Sequence, residues 1–278
     1  MSVLTYAYCL VRSSRRPVLH SVADGIPGAT DLRALDAGRG VWLIVASVPS
    51  RDYDDRAVAK GLQKLDWVGR RAMAHEAVVE HFLEAPAVLP MQLFTLFTSD
   101  ERALAHVARD RARIDRILKR LDRQLEWGLR LTFDEKAARD GVEAKHHAAD
   151  GARRRDSAAT RATRSRSRSP AVSGAAYLER KRDLFDVTRV QLAYARSQAD
   201  RLFRAMRREA TEALRRTAME QAAPGSRLLL DAAFLVPKGR SGAFRNALRR
   251  HARQLDAPGI VMSLTGPWPP YNFIAKSR

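Results

Sequence analysis

"RQLEWGLRLTF", Arg123 to Phe133, is the most regular stretch of this 278-residue chain. Leu125, Trp127, Leu129, Leu131 and Phe133 fall on one side, and Gln124, Glu126, Gly128, Arg130 and Thr132 on the other. Period-two alternation predicts a strand with one buried face and one open to water. Upstream, Thr98 and Glu101 have capping-box spacing and open a helix whose inward residues are Leu104, Val107, Ile114, Leu118 and Leu121. "AVLPMQLFTLF" (Ala87–Phe97) is strand-like, with Pro90 marking an edge or bulge. Asp66–Leu83 carries Val68, Ala72, His75, Val79 and Phe82 at steps of four and three, one apolar helical stripe that Pro86 ends. Before it, Asp52 or Asp54 caps a shorter helix.

Nearer the N-terminus, "GVWLIVASV" (Gly40–Val48) reads as a strand covered on both faces, and "LTYAYCLV" (Leu4–Val11) as a strand with Tyr6 and Tyr8 on one face. Between them, "HSVADGIPGATDLRAL" has room for a short helix and a Gly/Pro turn at Gly25–Gly28. Residues 1–135 therefore alternate strands and helices in an order that suits a ferredoxin-like domain.

Downstream, 136–171 holds "ARRRDSAATRATRSRSRSP" and too few large apolar side chains to offset ordering entropy, so a disordered Arg/Ser-rich linker is expected. Residues 172–278 form a C-terminal domain. It starts with a long helix, 172–221, striped by Leu192, Ala195, Ala199, Leu202, Met206, Ala210 and Ala213, with Leu178 and Phe185 upstream. "SRLLLDAAFLVP", "GRSGAFRNALRRHARQL" and "PGIVMSLTG" then read as strand, helix and strand, a βαβ unit whose two strands need others to pair with. The fold class is α+β.

Hydrophobic residues at 45% and charged residues at 29% permit a sizeable core. No apolar run approaches the roughly 18–20 residues of a membrane span, and "MSVLTYAYCLVRSS" lacks a basic leader. Cys9 is the sole cysteine, which leaves no internal disulfide and no cysteine zinc site. These features point to a cytoplasmic protein. The net charge of +19 rests on 42 arginines and eight lysines, a field that attracts nucleic acid, anionic surfaces or acidic proteins.

Catalytic patterns are absent from the sequence: no Gly-x-Ser-x-Gly elbow, Walker loop or Gly-x-Gly-x-x-Gly. His75-Glu76 resembles the start of a zincin motif, but Val79 stands where the second histidine belongs, and His75 reads as a hydrogen-bonded core residue. "KGRSGAF" (Lys238–Phe244) has the form of an anion-holding helix start, although a plain turn accounts for it. No catalytic residue, cofactor or metal is expected.

"LTGPWPPYNF" (Leu264–Phe273) ends the chain with heavy apolar weight. Gly266 stops the last strand, Pro267, Pro269 and Pro270 stiffen the course, and Trp268, Tyr271 and Phe273 gain a fixed path, which favours packing on the protein's own core over docking to a partner. This ending resembles the C-terminal signature of the gas vesicle protein F/L family. "YAYCLV", "HEAVVEHFLEAPAVLPMQLFTLF" and "SGAAYLERKR" resemble that family's opening strand, its His-Glu helix with Val-Leu-Pro strand, and the start of its long helix. Where the family often has Phe-Gly-Thr, this chain reads Leu93-Phe94-Thr95. The resemblance implies a non-enzymatic accessory protein of gas vesicle assembly, located at the vesicle. Its implied partners are the apolar shell protein and other vesicle proteins, with no membrane. The implied motif residues are His75, Glu76, Pro90, Gly266, Pro267, Trp268, Pro269, Pro270, Tyr271 and Phe273, in structural or partner-binding roles. The alternative reading is a basic nucleic-acid-associated protein with a ferredoxin-like domain.

Overall fold

Strand β1 (Val3–Arg12) is buried from Thr5 to Val11 and is paired along both edges. One edge meets β3 (Val41–Pro49), which in turn meets β2 (Thr30–Asp36); the other meets β4 (Ala87–Pro90) and then β5 (Leu96–Phe97). All these pairs are antiparallel, and the order β2-β3-β1-β4 is that of a ferredoxin-like sheet. The structure is a computed structural model that describes residues 2–140, 174–216, 225–255 and 257–274.

Two sequence expectations change in this sheet. The crossover from β1 to β2 contains no helix: residues 13–29 run as a loop. Tyrosines hold that loop, with the Tyr8 hydroxyl accepting from Ile26 N at 3.0 Å and Tyr53 Oη donating to Pro27 O at 2.6 Å. The expected strand 87–97 is interrupted. Met91 N donates to Tyr8 O, the chain leaves the sheet through Phe94 at φ 64°, and it returns where Ala7 N donates to Thr95 O.

The helices of this region are α1 (Ser50–Tyr53), α2 (Asp55–Gly61), α3 (Leu65–Glu80), α4 (Asp100–Arg109) and α5 (Arg111–Arg120). Asp54 caps α2 by accepting from Ala57 N. Ser99, not Thr98, caps α4, accepting from Arg102 N. The single helix expected after Thr98 breaks at Asp110, so its inward face is split: Val107 serves α4, and Ile114 and Leu118 serve α5. Asp100, at the start of α4, takes Arg33 through both carboxylate oxygens at 2.6 and 2.8 Å and accepts from Thr5 Oγ1 at 2.7 Å. The Arg33 guanidinium holds the Asp100 carboxyl below its usual range.

The second sheet has the order β7-β8-β6-β9, with β6 at Gln124–Asp134, β7 at Glu212–Arg215, β8 at Ser226–Pro237 and β9 at Ile260–Trp268. The βαβ unit is β8, α7 (Ser241–Ala252) and β9, and β6 lies between its two strands. The long helix α6 is Gly174–Arg208, shorter than the expected 172–221, because residues 212–215 pair as β7. Ala195, Ala199, Leu202 and Met206 of its stripe are buried; Ala210 and Ala213 lie past its end. The side chains of Leu178 and Phe185, and most of the expected linker, lie outside the described residues; residues 135–140 are helical.

Two compact units result, and neither is a continuous stretch of chain. One gathers the described residues of Met1–Trp127, Leu235–Ser241 and Gly266–Arg278; the other gathers those of Gly128–Phe234 and Gly242–Thr265. The expected division by chain order into 1–135 and 172–278 places 128–135, 235–241 and 266–278 differently. Tyr6, Tyr8, Ile44, Tyr53, Val79 and Phe82 anchor the core of the first unit. In the second, the Phe234 ring lies 5.8 Å from Phe203 and 5.5 Å from Phe244. There the buried Asp231 carboxylate takes Arg216 Nε at 2.8 Å and Arg130 at 3.1 Å. Asp231→Ala leaves two guanidinium groups facing each other without their carboxylate. It should cost roughly 2 kcal/mol in chemical denaturation, shown as a lower midpoint at an unchanged slope.

Candidate functional site

Helical periodicity places His75 on the inner face of α3, against the aromatic face of β1. The Tyr6 hydroxyl shares a hydrogen bond with His75 Nδ1 at 2.7 Å and accepts from Phe94 N at 3.4 Å. The Tyr8 ring stacks on His75 at 5.5 Å and meets Tyr6 edge-on at 4.8 Å. Burial pushes the His75 pKa down to about 4 and pushes Tyr8 up to about 12. Tyr6 moves in the same direction as Tyr8, for the same reason.

On the outer side of this cluster, His75, Glu76, Pro90, Met91, Arg113 and Tyr271 wall a cavity of about 450 Å³. Burial raises the Glu76 pKa, and Glu80 and Glu126 add to that, while Tyr271 opposes it. Tyr271 is itself raised, first by burial and then by Glu76. His75 Nε2, Glu76 Oε1 and Tyr271 Oη make no hydrogen bond of normal geometry among the described residues. With Arg113 and Gln92, these groups make the polar part of a wall that Ala72, Pro90, Met91, Leu93 and Ile274 complete.

The C-terminal segment completes it. Gly266 has φ 112°, and a Cβ there would lie 2.8 Å from Glu126 O, which only glycine accommodates, but it does not stop the strand as expected: β9 runs on to Trp268. The Gly266–Pro267 bond is cis. Pro269, Pro270 and Phe273 are buried, Tyr271 turns toward Glu76, and Trp268 and Pro267 face outward. Asn272 donates through its backbone N, at 2.9 Å, and its side-chain amide to the buried Glu126 carboxylate. The alternation of β6 had placed Glu126 on a water-facing side; the tail covers it instead.

Of the ten motif residues, the cavity brings together His75, Glu76, Pro90 and Tyr271. Glu126 and Asn272 were not visible in advance, since a polar residue at an alternate strand position is ordinary. Lys238 is engaged elsewhere: its ammonium donates to Leu83 O and to Ala85 O, and burial lowers its pKa. Its side chain is thus directed to the Leu83–Ala85 carbonyls rather than to the start of the helix after "KGRSGAF". Among the described residues no group of three His, Cys, Asp or Glu is placed to hold a metal.

The family model of gas vesicle synthesis protein GvpL/GvpF matches residues 4–275. The chain belongs to the GvpL/GvpF family. Gas vesicle protein L of Streptomyces sp. (strain CB03234) is 29% identical over 282 residues, covering 97% of this chain and 92% of that protein. The crystal structure of GvpF from Anabaena sp. PCC7120 matches over the full length of both chains, with a TM-score of 0.63 and 16% identity. GvpF from Microcystis aeruginosa gives 0.62 at 13% identity, with 99% of each chain covered. The α+β fold and the membership that the "LTGPWPPYNF" ending suggested both stand, and a gas-vesicle-related role follows from membership in GvpL/GvpF. No described helix is long and apolar enough to cross a membrane.

His75 makes stability depend on pH. An unfolded chain takes a proton near pH 6.5, whereas the folded histidine resists it until about pH 4. The stabilisation is complete above 6.5 and is lost as pH falls toward 4, by about 3 kcal/mol. Denaturation between pH 7 and 4 should show this slope, and His75→Gln should flatten it. Asn272→Ala removes the side-chain amide that donates to the buried Glu126 carboxylate and should lower stability by roughly 1–3 kcal/mol. A melting temperature unchanged in that variant, and also after deletion of 267–278, would show that the tail is not a structural clamp.

Proposed function

We propose that this chain is a non-enzymatic accessory or minor structural protein of gas vesicle assembly that binds the apolar shell protein or other vesicle proteins, at the vesicle and in the cytoplasm. A shell that excludes water needs subunits with a large apolar face, and such a face aggregates unless something covers it. The observation that supports this reading is an uncovered apolar stripe on α3. Leu65, Gly69, Met73 and Ala77 recur every four residues, Leu65 and Met73 are 87% and 75% exposed, and Leu62 beside them is 57% exposed.

Co-expression with the shell protein and affinity capture tests the reading. The wild-type chain should retain the shell protein, and Leu65→Asp with Met73→Asp should reduce capture at least about fivefold without changing the melting temperature. Recovery of no vesicle protein by the wild-type chain at low salt would overturn it.

A further inference from the structure

A second hollow of about 450 Å³ lies at α1–α3, away from the residues that wall the Tyr271 cavity. Arg56 and Lys60, four residues apart, share one face of α2, and Lys64, the extended residue that precedes α3, adds a third cation to the wall of this hollow. Arg51 and Arg71 add to the wall. The two carboxylates present are already engaged: Asp54 caps Ala57 N, and Asp52 lies 3.6 Å from Arg51. Among the described residues, Arg56, Lys60 and Lys64 have no ion-pair or hydrogen-bond partner.

Arg71 is held differently. Its guanidinium lies 3.8 Å over the Trp67 ring and 5.2 Å from the centre of the Tyr53 ring, and its Nε is buried without a hydrogen-bond acceptor. Trp67 is fixed in turn. Phe94 stacks on it at 5.2 Å, and Gly61 lies so close that a Cβ would come within 2.6 Å of the indole. The hollow therefore combines a guanidinium held over an indole with three further cationic side chains, while its two carboxylates are engaged, which favours a compact anion of high charge. Peptide carboxylates, spaced along a chain, meet that requirement less well than clustered phosphoryl oxygens. With Arg71, Phe94 and Gly61 around the indole, no ring face is left open for a nucleobase.

We propose that this hollow binds a multivalent phosphate through Arg56, Lys60, Lys64 and Arg71, either an inorganic oligophosphate or the phosphate tail of a nucleotide. Calorimetric titration of the full chain with tripolyphosphate, and separately with ATP, at about 0.1 M salt distinguishes the two sources. Both should saturate a single site with affinities within about tenfold of each other. Arg56→Gln, Lys60→Gln and Lys64→Gln together should weaken both at least about tenfold. Arg201→Gln, Arg204→Gln and Arg207→Gln, which remove the same charge from exposed positions of α6, should change them less than about twofold. Absence of saturable binding, equal weakening by the two triple variants, or ATP binding more than about tenfold tighter than tripolyphosphate would each overturn the assignment.

Discussion

Two phenol groups buried in β1 organise the first unit. Tyr6 and Tyr8 are fully buried, and each hydroxyl needs a partner, because a buried polar group left without one costs about 1–3 kcal/mol. The partners come from three separate places: His75 from α3, Phe94 N from the interruption between β4 and β5, and Ile26 N from the loop after β1. Each demand shapes its own segment. The loop cannot wind into a helix while Ile26 N is committed to Tyr8. The edge strand must break to bring Phe94 N inward. The register of α3 is set by which residue reaches Tyr6.

Much of this was legible in the sequence where burial imposes a period. The α3 stripe, the apolar run of β3, the alternation of β6 and the strand–helix–strand run of β8, α7 and β9 all appear as expected, because a core wants the same residues that the periods supply. What failed to show was set by partners distant in sequence. Residues 209–215 have helix-favouring composition, yet 212–215 pair with β8, and Arg216 next to them is held by Asp231. Thr98 and Ser99 are both good caps, so their order could not be chosen from spacing alone. Of the cavity, the His75-Glu76 pair and the terminal motif were visible; the Glu126–Asn272 clamp, which joins residues 146 positions apart, was not.

Phe94 accounts for the departure from the Phe-Gly-Thr pattern. Its φ of 64° is a left-handed conformation that glycine adopts freely and that costs other residues about 1–2 kcal/mol. Its ring stacks on Trp67 and offsets that strain with aromatic contact. Glycine at this position would relax the backbone and remove one wall of the Trp67 cluster. The same side chain thus links the broken edge strand to the basic hollow.

The grouping of residues 266–274 with the N-terminal part of the chain has a consequence for biosynthesis. A ribosome delivers β1 to α5 first, at about 5–20 residues per second, and the segment that covers Glu126 emerges only after the intervening second unit. Until then the buried carboxylate lacks its amide donors and Phe273 has not taken its place in the core. Closure of the first unit therefore waits on synthesis of the second, and the nascent chain must stay soluble meanwhile with part of its interior uncovered.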